Sequence, residues 1–299
     1  MTIVGIAGCD EQNSTGPDPD PGSDDDSIST VVSEDSTLKT FSGILVQTGL
    51  DAELESEGSF TAFAPTDSAF HKLPEGLLDD LTGEELKEIL NYHLASGAMF
   101  TGDIQENEEI ETNAGSSIFV RANNDIELNH KAIITEGDKE TANGVIHKID
   151  NVLLPDAYLT VFGAIEKRYS LSKFACYCTS GRTELEGVLE DETAEFTVFV
   201  PTDEAFENFE QNVDDLSDSD LREILNYHVV EQEILSDELS DGQTLTTRNG
   251  EDLMVSVSND GTITLNGDRA VVQQADIEGK NGVVYIIDAV VDPHSGSGM

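Results

Sequence analysis

Three blocks of residues occur twice in this chain, in the same order and roughly 135 residues apart. Such a chain folds as two copies of one unit, because each block carries the same local preferences to both places. FTAFAPTDSAF at Phe60–Phe70 returns as FTVFVPTDEAF at Phe196–Phe206. LKEILNYHL at Leu86–Leu94 returns as LREILNYHV at Leu221–Val229, and NGVIHKID at Asn143–Asp150 as NGVVYIID at Asn281–Asp288. At 299 residues each copy is long enough to bury its own core without disulfides.

Each block has a physical reading. Phe60–Ala64 is apolar in the manner of a buried strand, and Pro65 ends it. Thr66 or Asp67 then caps a short helix that carries Ala69 and Phe70 inward. Pro201, Thr202, Asp203, Ala205 and Phe206 repeat the pattern. Thr82–Glu85 resembles a capping box before a helix whose Leu86, Ile89, Leu90 and His93 share one face. Ser217–Asp220 opens the matching helix, with Leu221, Ile224, Leu225 and His228. Phe119–Leu128 and Met254–Leu265 read as hairpins, the second turning at Asp260-Gly261. An Asn-Gly turn opens a final strand at Val145–Ile149 and again at Val283–Ile287. Helices are expected around Thr37–Gln47 and Val161–Cys178. The class is α+β with mainly antiparallel strands.

Charge narrows the partners. Sixty-one acidic residues against 15 basic ones leave a net charge of -46. Nucleic acid and anionic membrane surfaces are excluded as partners, since like charges repel and no basic stripe exists to release counterions. The acid recurs along both halves, at Glu106–Glu111, Asp214–Asp220 and Glu231–Asp241. A hydrated carboxylate surface suits high salt, where screening removes self-repulsion. Dedicated cation sites are the sharper reading, but no segment has the spacing of a calcium loop. Cys176 and Cys178 lie two apart in a helical stretch, on different faces, which would strain a disulfide. Cys178 reads as core and Cys176 as partly buried or free.

The first nine residues, MTIVGIAGC, end like a secretory signal with a lipobox, in which Cys9 would be lipidated. The basic lead is missing and the apolar run is short, so an ordinary unstructured start competes with this reading. Residues 10–29 are rich in Asp, Ser, Gly and Pro and behave as an acidic, self-repelling linker. Asn13-Ser14-Thr15 has the pattern of a glycosylation acceptor. No stretch has the length of a transmembrane helix.

At the repeated blocks the chain resembles the fasciclin (FAS1, beta-Ig-H3) family. Phe63–Phe70, Tyr92-His93 and Asn143–Pro155 match its motifs in the first copy. Phe199–Phe206, Tyr227-His228 and Asn281–Pro293 match in the second. Tyr285 replaces the family's His, which puts any role of that His in doubt there. The resemblance covers about 260 residues. It implies tandem domains at 30–156 and 157–294, with a tail at 295–299. Each would be a wedge of two mainly antiparallel β-sheets with flanking α-helices. It further implies an extracellular, surface-attached protein of cell adhesion or of matrix or polysaccharide binding. The alternative is a carrier of a hydrophobic small molecule or glycan.

Chemistry is sparse. The six histidines, His71, His93, His130, His147, His228 and His294, show no metal-ligand spacing on a helix. There is no phosphate loop, nucleophile elbow or Cys-x-x-Cys pair. No catalytic residue, metal site or cofactor is assigned, and the chain reads as a non-enzyme. Tyr92, His93, Tyr227 and His228 are the candidate contacts for a cell-surface or matrix protein or polysaccharide. They compete with a structural role, in which the rings are buried and bonded to a loop. The membrane enters only through a lipid at Cys9.

Overall fold

In a computed structural model, residues 26–55, 58–74 and 76–293 are described. Cys9, the Asn13 acceptor, His294 and the tail lie outside the described residues.

Domain 1 opens with α1 (Ile28–Glu34), α2 (Lys39–Thr48) and α3 (Leu50–Glu53). The helix starts inside the segment read as linker. Ser27 caps it, and Ile28, Val31 and Val32 are buried. The Asp and Ser around this short apolar stripe made it look like linker by composition. Strand β1 (Phe60–Pro65) and α4 (Asp67–Phe70) form the first repeated block. The second block is α5 (Gly83–Tyr92), which starts at the expected capping box of Thr82 and Glu85 and leads into β2 (Leu94–Ser96). Four strands follow: β3 (Glu109–Glu111), β4 (Ser117–Ala122), β5 (Ile126–Leu128) and β6 (Ala132–Thr141). The third block supplies β7 (Gly144–Ile149).

Domain 2 repeats this order. Its helices are α6 (Val161–Glu166), α7 (Ser172–Thr179) and α8 (Leu185–Leu189), then β8 (Phe196–Pro201), α9 (Asp203–Glu207), α10 (Asp218–Tyr227) and β9 (Val229–Val230). The rest is β10 (Thr244–Thr246), β11 (Asp252–Val257), β12 (Ile263–Leu265), β13 (Ala270–Gly279) and β14 (Gly282–Ile287). Cys178 is buried in α7 and Cys176 is exposed, both as free thiols.

The seven strands of domain 1 run in the order β2-β1-β7-β6-β5-β4-β3, and domain 2 uses the same order. Among the described strands only β1–β7 and β8–β14 are parallel. That pair is central and buried, which explains why the strands read as unbroken apolar runs. The two halves of the expected wedge are continuous. They share β6, whose register shifts on either side of Glu136 let it bend from one half to the other. The ends also meet: Ala95 bridges to Thr112, and Asn113 N–H donates to Leu94 O at 2.8 Å. Domain 2 makes the same closure from Arg248 N–H to Val229 O, at 2.7 Å.

Closure divides each core in two. Along β1 the side chains alternate. Phe63 points into the closed sheet with Ile118, Val120, Leu128 and Ile149. Ala62 and Ala64 face outward, under Phe41 and Leu45 of α2.

Candidate functional site

The repeated polar residues hold this architecture together. Thr66 Oγ1 caps α4 through Ala69 N–H. Asp67 reaches elsewhere: its carboxylate accepts Thr40 N–H at 2.7 Å and so caps the first turn of α2. Asp203 does the same for α7 through Lys173 N–H at 2.7 Å. The Thr-Asp pairs are thus two caps for two helices.

Asn143 accepts Ile28 N–H at 2.8 Å and donates to Leu54 O at 2.6 Å, tying the first helices to the last strand. Asn281 accepts Val161 N–H at 2.7 Å and donates to Leu189 O at 2.9 Å. The glycine after each has no substitute. Gly144 has φ +150° and a Cβ there would lie 1.9 Å from Phe60 O; Gly282 has φ +135° and the same 1.9 Å clash with Phe196 O.

The Tyr-His pairs are interior. Tyr92 and His93 are 0% and 1% exposed, Tyr227 and His228 3% and 0%. His93 Nδ1 donates to Ile89 O at 2.8 Å, which leaves Nε2 to accept Leu153 N–H at 3.0 Å. His228 is held identically by Ile224 O and Val291 N–H. Burial pulls both imidazoles down to about 4, against the smaller opposing effect of the carbonyl bond. These rings are neutral clasps that fasten helix to closing segment. The four side chains expected as partner contacts are therefore almost wholly buried, and both nitrogens of each histidine are spent on backbone bonds within its own domain.

His147 stacks on Phe63 and donates from Nε2 to Met99 O at 2.8 Å. Tyr285 takes its place in domain 2. It packs on Phe199, and its hydroxyl donates to Ile234 O at 2.8 Å. The loop tie survives the replacement.

Two features were not found in the sequence. The first is an asparagine in each copy with positive φ, Asn129 (+53°) and Asn266 (+51°). Asn129 accepts Phe119 N–H and donates to Tyr92 Oη at 2.9 Å; Asn266 accepts Met254 N–H and donates to Tyr227 Oη at 2.8 Å. The repeated Leu-Asn at 128–129 and 265–266 was the available signal. The second is the domain junction. Lys167 and Arg168, at the end of α6, are 3% and 4% exposed. Asp156 lies 3.1 Å from Lys167 Nζ and receives two bonds from Arg168, at 2.8 and 2.9 Å. Burial alone would raise the Asp156 carboxyl, but the bonds and charge of Arg168, with those of Lys167, hold it below the usual range. Burial lowers Lys167 to about 8. Lys167 Nζ also donates to Tyr92 Oη at 3.2 Å, and the Arg168 guanidinium lies 4.9 Å from the Phe119 ring. Tyr169 Oη accepts His130 N–H and donates to Glu127 O, both at 3.2 Å. Beside this contact runs a cleft of about 220 Å3 between Leu73, Val152, Leu154 and Leu159, with Lys72 and Lys131 at its rim. Among the described residues no group of three His, Cys, Asp or Glu side chains could hold a metal ion.

The fasciclin domain model matches residues 36–155 and 170–293. The chain belongs to the fasciclin family. It is similar to the transforming growth factor-beta-induced protein ig-h3 of Oryctolagus cuniculus, 29% identical over 276 residues, which is 91% of this chain and 39% of that protein. It is also similar to the cell surface glycolipoprotein MPB83 of Mycobacterium bovis, 32% identical over 152 residues, 49% of this chain and 68% of the relative. Among solved structures, a FAS1 domain pair from the insect cell adhesion molecule fasciclin I aligns with a TM-score of 0.60 at 20% identity, over 87% of this chain and 98% of that one. This fasciclin pair spans about two-fifths of the ig-h3 relative's length. Among the described residues no helix is long and apolar enough to cross a membrane.

Proposed function

We propose that this fasciclin protein is a non-enzymatic adhesion module on the outer surface of a salt-adapted prokaryote, binding a cell-surface or matrix protein or a polysaccharide. The observation that carries the reading is the double match to the fasciclin domain model, with a FAS1 pair from a cell adhesion molecule aligned over 87% of this chain. The bacterial cell surface glycolipoprotein supports the location, and the net charge of -46 supports the salt. Lipidation at Cys9, with residues 10–25 as tether, would present the domains outward; firm anchoring needs more than one acyl chain. Because the repeated polar residues are consumed by folding, the contact surface belongs to parts that differ between the copies. Deleting the gene and measuring attachment in native salt tests this. Reduced attachment, restored by the intact gene and not by a Cys9→Ala form, is the expected result. Unchanged attachment would sink the proposal.

A carrier of a hydrophobic small molecule or glycan is the second reading, and the apolar junction cleft favours it. At about 220 Å3 the cleft is smaller than the ~300–1,000 Å3 typical of sites for drug-sized ligands. Mass spectrometry of purified protein decides. A co-purifying molecule lost on filling the cleft by Gly163→Leu would support a carrier.

A further inference from the structure

The two domains present the same face to opposite fates. In domain 1 the end of the closed sheet around Phe119, Tyr92 and Asn129 is covered by the turn Lys167-Arg168-Tyr169 of the next domain. The equivalent face of domain 2 can be read off bond by bond. Tyr92 Oη donates to Ser117 O at 2.7 Å, and Tyr227 Oη donates to Asp252 O at 2.9 Å. Asn129 accepts from Phe119 N–H, and Asn266 from Met254 N–H. Met254 therefore stands where Phe119 stands.

The consequence for exposure is large. Phe119 is half-buried under the basic turn, whereas Met254 is 52% exposed, one of three large hydrophobic residues so placed among the described residues. Asn129 is buried and Asn266 is half-buried. The tyrosine hydroxyls differ in the same sense. Tyr92 Oη accepts from both Asn129 and Lys167 Nζ. Tyr227 Oη accepts from Asn266, and among the described residues no lysine donates to it as Lys167 does to Tyr92 Oη.

We propose that this face of domain 2 is a docking surface for a protein partner that brings a basic-basic-aromatic turn like Lys167-Arg168-Tyr169. Met254, polarisable and flexible, takes the place of the Phe119 ring under the aliphatic stems and the guanidinium. Tyr227 Oη accepts the ammonium. Glu251 and Asp252 act on the hydroxyl as negative charges and Arg269 as a positive one, and the net charge of the chain is strongly negative. A basic segment is thus drawn to the face and an acidic one repelled. A second copy of this chain does not fit. Its own basic turn is buried, and the matching turn of its domain 1 is Glu34-Asp35-Ser36. The inference stands on the internal duplication and is independent of the adhesive reading.

The chain has four methionines, so 13C-methyl labelling of Met gives a sparse spectrum in which the Met254 signal is the one lost in Met254→Lys. The probe is a helix-stapled peptide of residues 161–171, VFGAIEKRYSL, titrated into the full chain to millimolar concentration. The peptide of residues 28–38, ISTVVSEDSTL, is the matched acidic control. The Met254 methyl is expected to shift saturably with the first peptide and to stay still with the second. Anisotropy of the labelled basic peptide is expected to show at least tenfold weaker binding to Met254→Lys, an exposed substitution that leaves the cores untouched. A competence check uses Lys167→Ala/Arg168→Ala/Tyr169→Ala, whose vacated domain 1 face should take up the same peptide. A silent Met254, equal shifts with both peptides, or binding indifferent to Met254→Lys would each overturn the proposal.

Discussion

His93 and His228 show what burial does to a titratable residue here. Each is neutral in the fold, pulled down to about 4, while the unfolded chain protonates near 6.5. The native state therefore binds fewer protons between these values, and stability is full above pH 6.5 and is lost as pH falls toward 4. Each domain should lose about 3 kcal/mol across that window. Denaturant unfolding in molar salt, which screens the net charge, should show this decline before the carboxylates titrate. A flat profile from pH 7 to 4.5 would contradict the assignment. Gly282→Ala is a sharper case. With φ +135° and Phe196 O in the way, the cost should exceed ~4 kcal/mol and abolish folding of domain 2, seen as a reduced calorimetric enthalpy of unfolding. The Asn-Gly pair was legible in the sequence as a turn. Its second task, clamping helices 92 and 120 residues away for Asn281, was not, because no local pattern announces a long-range bond.

At the level of elements, the Asp of each Thr-Asp pair caps a helix that precedes it in the chain. Asp67→Ala and Asp203→Ala should each cost about 1 kcal/mol, the value of a lost cap. The loss should appear as faster amide exchange in the first turn of α2 or α7, and not in α4 or α9. Tyr285→Phe removes the tie to Ile234 O and should cost about 1 kcal/mol, whereas Tyr285→His should recover most of it by copying the His147 bond. Most elements were readable: the capping box, the buried strands and the hairpins all follow from spacing and composition, though the parallel pairing of those strands does not. Sheet closure was not, since β2 and β3 are three residues each, too short to carry a period. The burial of the Tyr-His pairs was legible only as a choice between two roles. Repetition in both copies marks a residue as necessary, but not whether fold or partner needs it.

For the whole molecule the junction decides behaviour. Lys167 and Arg168 share the counterion Asp156 in a buried contact, and removing one member of such a cluster leaves buried charge uncompensated. Asp156→Ala should cost about 3–5 kcal/mol and split one calorimetric transition into two as the domains uncouple. A single unchanged transition would show that the ionic contact does not join them. The acidic excess sets a second global property. Stability should rise with salt as the repulsion among a net 46 negative charges is screened, and circular dichroism in dilute buffer should show partial unfolding. The duplication itself was plain in the sequence. The junction was hidden because its basic pair falls between repeated blocks, where domain 1 carries Glu34-Asp35 instead.

The bond from Asn143 to Ile28 gains a different meaning when the chain is pulled. It holds the entering helix against the strand that leads out of the same domain. Tension entering before α1 therefore loads this clamp first. Its release would pay out the length of α1 while the closed sheet stays shut, giving each domain a short, recoverable extension before any unfolding.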